Sequence, residues 1–192
     1  MVGVVLAGGL GRRMGGRKPE RWLRGKPLAA YPAAALQEVC ERVALVGPAP
    51  RLPGVELWDD EPEKPRHPLT GIVHALERAG GGPVLVVAAD MPFVTAEVLR
   101  ALTAAGEGVV AVADGVLQPL LAVYSPSSLP VLKAAPPDAP LTRTVESLNP
   151  IRVEVPPAIT RSIDTPEQLA REQRPARAQR ERDLPEAERD AE

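Results

Sequence analysis

The chain has 192 residues, 44% apolar and 25% charged, with a formal net charge of −2; this suits one large domain with a core of normal size and excludes nucleic-acid binding driven by overall charge. One cysteine and two histidines exclude an intrachain disulfide and a four-ligand Cys/His zinc site, so any metal chemistry has to run on carboxylates, which favour hard cations such as Mg²⁺. No apolar run approaches the roughly 18–20 residues of a membrane span, and no positive segment precedes the N-terminal apolar stretch, so the expected compartment is the cytoplasm.

Val2–Ala7 is a continuous apolar, β-branched run stopped by Gly8-Gly9, the pattern of a strand buried on both faces in a parallel sheet. A glycine-rich basic loop runs from there to about Lys18. Leu28–Cys40 is rich in Ala and Leu and reads as a helix, with Pro32 tolerable only near its first turn. Val43–Gly47 and Val55–Trp58 read as strands, and the acidic, proline-rich stretch Asp59–Pro68 as a loop. Thr70–Ala79 has helical spacing at Ile72, Val73 and Leu76, with Thr70 as the expected cap. Val84–Ala89 is a second fully apolar run, ending in Asp90, and Thr95 caps a helix to Ala105. Val109–Ala113 and Leu117–Tyr124, joined by Asp114-Gly115, predict a tight hairpin. Short helices follow over Ser125–Ala134 and Leu141–Leu148, then a strand over Ile151–Val155, and Thr165-Pro166 opens a last helix. The order predicts an α/β fold: one Rossmann-like, three-layer domain with a mainly parallel sheet, its ligands beyond the strand C-terminal ends. The expected organisation is a catalytic body over residues 1–170 and a charged tail over 171–192, helical or disordered, where Arg, Glu, Asp and Gln alternate.

Between Arg12 and Lys26 stand seven cations and one acid, Glu20. Such clustering carries self-repulsion that an anion relieves, and glycines let backbone N–H groups approach a ligand. The loop therefore reads as a polyphosphate cradle, against the plainer reading of a solvated basic loop. It matches neither common phosphate motif. Met14 stands where the dinucleotide fingerprint needs glycine, and Gly16-Arg17-Lys18-Pro19 breaks the P-loop pattern.

Asp90, at the lip of an apolar strand, is the leading metal-ligand candidate, the alternative being a turn aspartate. Asp59 and Asp60 read as a solvated pair unless a ligand claims them. Gln118-Pro119 sits in a strand whose proline argues for an edge position. Cys40 reads as a buried small residue, and no Ser/His/Asp or Cys/His order points to covalent catalysis.

The run Leu6-Ala7-Gly8-Gly9 followed by Arg13-Met14-Gly15-Gly16 and Lys18 resembles the signature of the molybdenum cofactor guanylyltransferase family, within the nucleotidyltransferase superfamily that activates sugars and cofactors. Ala89-Asp90-Met91-Pro92 resembles the family's D-x-P element, Asp60 with Pro68-Leu69-Thr70-Gly71 its D…GPLxG segment, and Gln118-Pro119-Leu120 its acceptor-side strand. Ser162-Ile163-Asp164-Thr165-Pro166-Glu167 resembles its N-x-N-T-P-E segment, with Ser162 and Asp164 in place of two asparagines and His67 in place of a glycine. The resemblance covers roughly residues 1–170. It implies a nucleotide-diphospho-sugar transferase-like fold, GTP held by Leu6, Ala7, Gly8, Gly9, Lys18, Asp60 and Asp90, and Mg²⁺ (or Mn²⁺) held by Asp90. Lys18, Asp90 and Arg13 are then the expected catalytic residues. The acceptor, molybdopterin or Mo-molybdopterin, falls to Arg13, Gly16, Gln118 and Asp164.

The implied reaction transfers GMP from GTP to the acceptor's terminal phosphate, with transient contacts to other cofactor-biosynthesis proteins and molybdoenzyme chaperones, and with neither nucleic acid nor membrane as partner. The alternatives are a molybdopterin cytidylyltransferase or another small-molecule NTP transferase, and, from a different class, a non-catalytic nucleotide-binding protein.

Overall fold

The computed structural model describes residues 1–8, 18–58, 67–136 and 139–173. Nine strands and six helices follow in chain order. The strands are β1 (Val2–Leu6), β2 (Trp22–Leu23), β3 (Lys26–Pro27), β4 (Arg42–Val46), β5 (Glu56–Trp58), β6 (Val84–Ala88), β7 (Val109–Ala113), β8 (Val116–Tyr124) and β9 (Ile151–Glu154). The helices are α1 (Ala30–Gln37), α2 (Pro68–Arg78), α3 (Ala96–Ala104), α4 (Leu129–Ala134), α5 (Leu141–Ser147) and α6 (Pro166–Gln173).

Seven strands form one sheet in the order β5-β4-β1-β6-β8-β7-β9, and only β8 runs against the rest. β1, β6 and β7 are buried at every position, as both-faces burial requires. Alternation along the strands sorts side chains to two faces. On one, Val5, Leu45, Leu85 and Val87 pack against Leu36 of α1 and Leu99 and Leu102 of α3. On the other, Val4, Val46, Val84 and Val86 pack against Ile72 and Leu76 of α2, Leu132 of α4 and Val145 of α5. These are the three layers that the order of elements predicts. No helix among the described residues is long and apolar enough to cross a membrane.

Gly3 sets the spacing of the first face. A Cβ there would lie 3.0 Å from Leu36 Cδ2 and 3.2 Å from both Leu36 Cβ and Cys40 Sγ. Gly3→Ala is therefore expected to destabilise the fold by about 1–3 kcal/mol through overpacking. An unchanged urea midpoint would contradict so close a helix–sheet approach. Cys40 is buried in the same layer, and burial pushes its thiol pKa up, in keeping with a packing role.

Three local expectations are corrected. Helix α2 begins at Pro68, not Thr70; its cap is His67, whose Nδ1 accepts from the Leu69 N–H at 3.3 Å. Proline at the first helical position lacks the N–H that would otherwise go unpaired there. Second, Pro119 is on an interior strand. β8 lies between β6 and β7, and the β7–β8 register jumps from Val110↔Ala122 to Ala111↔Gln118, leaving Pro119 in a bulge. A bulge tolerates a residue with no ladder donor as well as an edge does. Third, the expected helix from Ser125 is a 3₁₀ turn (Pro126–Ser128) leading into α4.

Two hairpins turn on residues with positive φ: Arg24 (45°) and Gly25 (83°) join β2 to β3, and Asp114 (49°) and Gly115 (73°) join β7 to β8. Paired positive φ is the requirement of the two-residue turn that matches strand twist. The first hairpin is not among the elements predicted from sequence, because two residues per strand show no alternation to read.

Candidate active site

The site lies at the C-terminal ends of β1 and β6, neighbours in parallel register with Leu6 opposite Ala88. The Ala7 N–H donates to Val46 C=O at 2.8 Å, and the Ala89 N–H to Leu6 C=O at 2.9 Å. These bonds extend the sheet one residue beyond the strands and fix where Gly8 and Asp90 emerge. Among the described residues other than its chain neighbours, no atom lies within 4 Å of where a Gly8 Cβ would stand.

Lys18 opens a one-turn 3₁₀ helix (Lys18–Glu20). The Ala29 N–H holds that turn from α1 by donating to Pro19 C=O at 3.2 Å, and the Leu28 N–H donates to Arg21 C=O at 2.8 Å. The Lys18 ammonium donates to Asp90 Oδ2 at 2.6 Å and to Asp164 Oδ1 at 2.5 Å. Its side chain is 13% exposed, against 30% for Asp90 and 44% for Asp164.

Asp164 arrives from the far end of the chain. After β9 the backbone returns across the strand ends, and the Ile163 N–H donates to Asp90 C=O at 3.1 Å. Ile163 is buried with Leu23 and Leu28, against which Tyr31, Phe93 and Leu169 also pack. Thr165 and Gln168 form a reciprocal cap at the start of α6. The Gln168 N–H donates to Thr165 Oγ1 at 3.2 Å, and Gln168 Oε1 accepts from the N–H groups of Thr165 (3.0 Å) and Asp164 (2.6 Å). The T-x-x-Q spacing is the readable signature of that box. The Ser162 hydroxyl donates to Asp164 Oδ2.

A second group of charges fastens this crossing segment. Glu172 of α6 lies 3.2 Å from Arg161 and 3.9 Å from Arg24, and the Arg24 Nε donates to Glu172 C=O at 2.8 Å. The Arg161 guanidinium stacks 4.4 Å over the Phe93 ring. The Gln173 amide donates to Trp22 C=O at 2.6 Å, so α6 crosses residue 170 and grips the β2–β3 hairpin. Lys18 and Arg24 both belong to the cationic run read from the sequence. Carboxylates of the fold offset part of that charge, so an anion is not its only counterweight.

The structure thus brings Lys18, Asp90 and Asp164 together, beside Leu6, Ala7 and Gly8. Asp164, expected on the acceptor side, stands with the metal candidate. Gln118 is half-buried and lies three residues past Leu121, the last β8 residue paired with β6, toward the end where Asp90 stands. Its amide donates to Val116 C=O at 3.3 Å. Gly9, Arg13, Gly16, Asp60 and the tail from residue 174 lie outside the described residues. Ser162, Gln168 and Glu172 are the supporting residues missed as such in the sequence. The capping spacing could have flagged Gln168, but nothing local marks Glu172.

The mainly parallel sheet, with Lys18, Asp90 and Asp164 at its strand ends, has the architecture of the nucleotide-diphospho-sugar transferase fold, a fold of nucleotidyltransferases. The model of the MobA-like NTP transferase domain matches residues 3–151, and the chain belongs to that family. The chain is similar to a molybdenum cofactor guanylyltransferase of Cereibacter sphaeroides, 39% identical over 120 residues, which are 59% of this chain and 62% of that protein; it spans less than two thirds of that relative's length. It is also similar to the crystal structure of molybdopterin-guanine dinucleotide biosynthesis protein A from Archaeoglobus fulgidus, with a TM-score of 0.69, 27% identity, and coverage of 90% of this chain and 97% of that one. A manganese complex of Rv0371c from Mycobacterium tuberculosis shares the fold, with a TM-score of 0.67, 17% identity, and coverage of 90% and 96%.

Proposed function

We propose that the protein transfers GMP from GTP to the terminal phosphate of molybdopterin, releasing pyrophosphate and forming a molybdopterin guanine dinucleotide. The observation that carries this reading is the Lys18–Asp90–Asp164 cluster at the strand ends of a chain from this family. An oxygen of the acceptor phosphate bonds to the α-phosphorus of GTP. The bond from that phosphorus to the bridging oxygen of pyrophosphate breaks, and its electron pair leaves with pyrophosphate. The nucleophile is already an anion, so no strong general base is needed. The protein's task reduces to alignment and charge neutralisation.

Lys18 supplies a positive charge to the polyphosphate, and the backbone of Leu6, Ala7 and Gly8 at the end of β1 receives the nucleotide, with Gly9 next in sequence. Asp60 would add to the nucleotide contacts, and Arg13, Gly16 and Gln118 to those of the acceptor. The donors fit a divalent cation. Asp90 and Asp164 are hard oxygen ligands already seated on one cation, the Lys18 ammonium, and no group of three or more His, Cys, Asp or Glu ligands stands among the described residues. Two carboxylates with the remaining positions left to phosphates and water is the set that Mg²⁺ takes. Asp90 and Asp164 would hold the ion, which when bound spreads the charge developing on the phosphates. The reaction belongs in the cytoplasm, with acceptor and product exchanged with other proteins of cofactor biosynthesis.

Thermal unfolding with GTP, CTP, ATP or UTP plus Mg²⁺ tests the nucleotide. A ligand bound only by the native state at 100 times its Kd stabilises by about 2.7 kcal/mol, and GTP is expected to raise the midpoint most. A larger shift with CTP would refute the guanylyl reading in favour of a cytidylyltransferase. Pyrophosphate release on adding molybdopterin separates an enzyme from a nucleotide-binding protein without turnover.

A further inference from the structure

The three charged groups of the site are not held alike. Asp90 is pinned through its backbone, with its C=O accepting from Ile163 and the next residue's N–H donating to Ala88 C=O at 3.2 Å. Asp164 is pinned by the Gln168 amide oxygen on its N–H and by the Ser162 hydroxyl on Oδ2. Lys18 reaches both carboxylates through a long flexible stem. Its ammonium stands between Oδ2 of Asp90 and Oδ1 of Asp164, and a divalent cation shared by those two oxygens would stand there too. Two cations cannot share the place, because their repulsion grows with the product of their charges and with closeness. An ammonium that leaves needs another anion, since a largely buried charge stripped of its partners is costly. Lys18 is only 13% exposed.

We propose that Lys18 is an exchangeable counter-ion: in the nucleotide-free protein it holds the place of the divalent cation between Asp90 and Asp164, and it moves to the phosphates when cation and nucleotide arrive together. The site then rejects the bare cation, which must evict the ammonium without bringing phosphates to receive it. It accepts the cation–nucleotide complex, whose phosphates receive Lys18. Metal and nucleotide binding become one coupled event. This rests on the nucleotidyltransferase reading only in that a nucleoside triphosphate and a divalent cation occupy the site; the base is immaterial.

The test is Mn²⁺ binding to the full chain without nucleotide, read from the loss of the free-ion electron paramagnetic resonance signal. Lys18→Met, of similar length and uncharged, is expected to bind Mn²⁺ about tenfold or more tightly than the unaltered protein, within the usual range of coupled sites. The same variant is expected to bind Mn²⁺ with a non-hydrolysable GTP analogue about tenfold more weakly. A lysine serving structure alone would move both affinities the same way. Adding Asp164→Asn to Lys18→Met is expected to cancel the gain for bare Mn²⁺. Unchanged or weaker binding of bare Mn²⁺ by Lys18→Met overturns the proposal, and a gain that survives Asp164→Asn overturns the part given to Asp164. If Lys18→Met does not fold, Lys18→Gln takes its place with the same readout. Preference for CTP would overturn the guanylyl reading and leave these outcomes intact.

Discussion

Asp90→Ala is expected to lower guanylyl transfer by at least on the order of 10²–10³-fold while the protein stays folded. The two halves of that expectation rest on different parts of the residue. The Asp90 backbone carbonyl, which accepts from Ile163, survives the change, and the packing of this strand comes from the buried run Val84–Ala88. The side chain is 30% exposed, so its removal leaves no large cavity. What goes is the carboxylate at the lip of β6 that accepts from the Lys18 ammonium. Lys18 keeps Asp164 as partner, so the cluster loses one charge and does not collapse. Pyrophosphate release from GTP and molybdopterin, with the urea midpoint as a folding control, measures both halves. Near-normal turnover in the folded variant would remove Asp90 from the mechanism.

Lys18→Ala is expected to cost transfer on the same order, with a different signature in stability. Without the ammonium, Asp90 and Asp164 lose the cation they share at 2.6 and 2.5 Å. Removing one partner of a buried ion pair costs several kcal/mol, but these carboxylates are partly solvated, and a loss of about 1–2 kcal/mol is the discounted figure. Mg²⁺ is expected to restore part of that loss, because a ligand of the native state alone raises its stability. Asp90→Ala, with one carboxylate left, is expected to show less of this rescue. Chemical denaturation of both variants with and without Mg²⁺ makes the comparison. An equal response in the two would show that the carboxylates do not act as a pair.

Most of the scaffold was legible because it is local. The apolar runs Val2–Ala7 and Val84–Ala89 could be little else than strands buried on both faces, and they became β1 and β6. Thr95 and Thr165 announced helix starts by residue type. His67 did not, because histidine is not a favoured cap, and the adjacent Pro68 was the better signal. The Asp114-Gly115 turn marked the reversal of β8, but nothing local marked its place between β6 and β7, since a strand with both faces covered has the same composition wherever it pairs. In the site, Asp90 was readable from its place at a strand end, and Lys18 from the basic loop and the family resemblance. The union of Lys18 with Asp164 was not, because it spans 146 positions and no pattern in either segment encodes the other. The family resemblance drew Asp164 toward the acceptor; the path of the backbone from β9 across the strand ends puts it on Lys18.

That path also fixes when the site comes into being. A chain made from its N-terminus folds as it emerges, and β1, β4 and β6 can pair with one another before residue 100 is followed by much else. Lys18 and Asp90 then wait for Asp164, α6 and the Glu172 grip, which come after β9. The growing polypeptide thus carries the middle of the sheet, β4, β1 and β6, well before it carries the residues that complete the Lys18 cluster. A chain cut before residue 160 would keep the two faces of the sheet packed and would lack Asp164, Ile163 and α6.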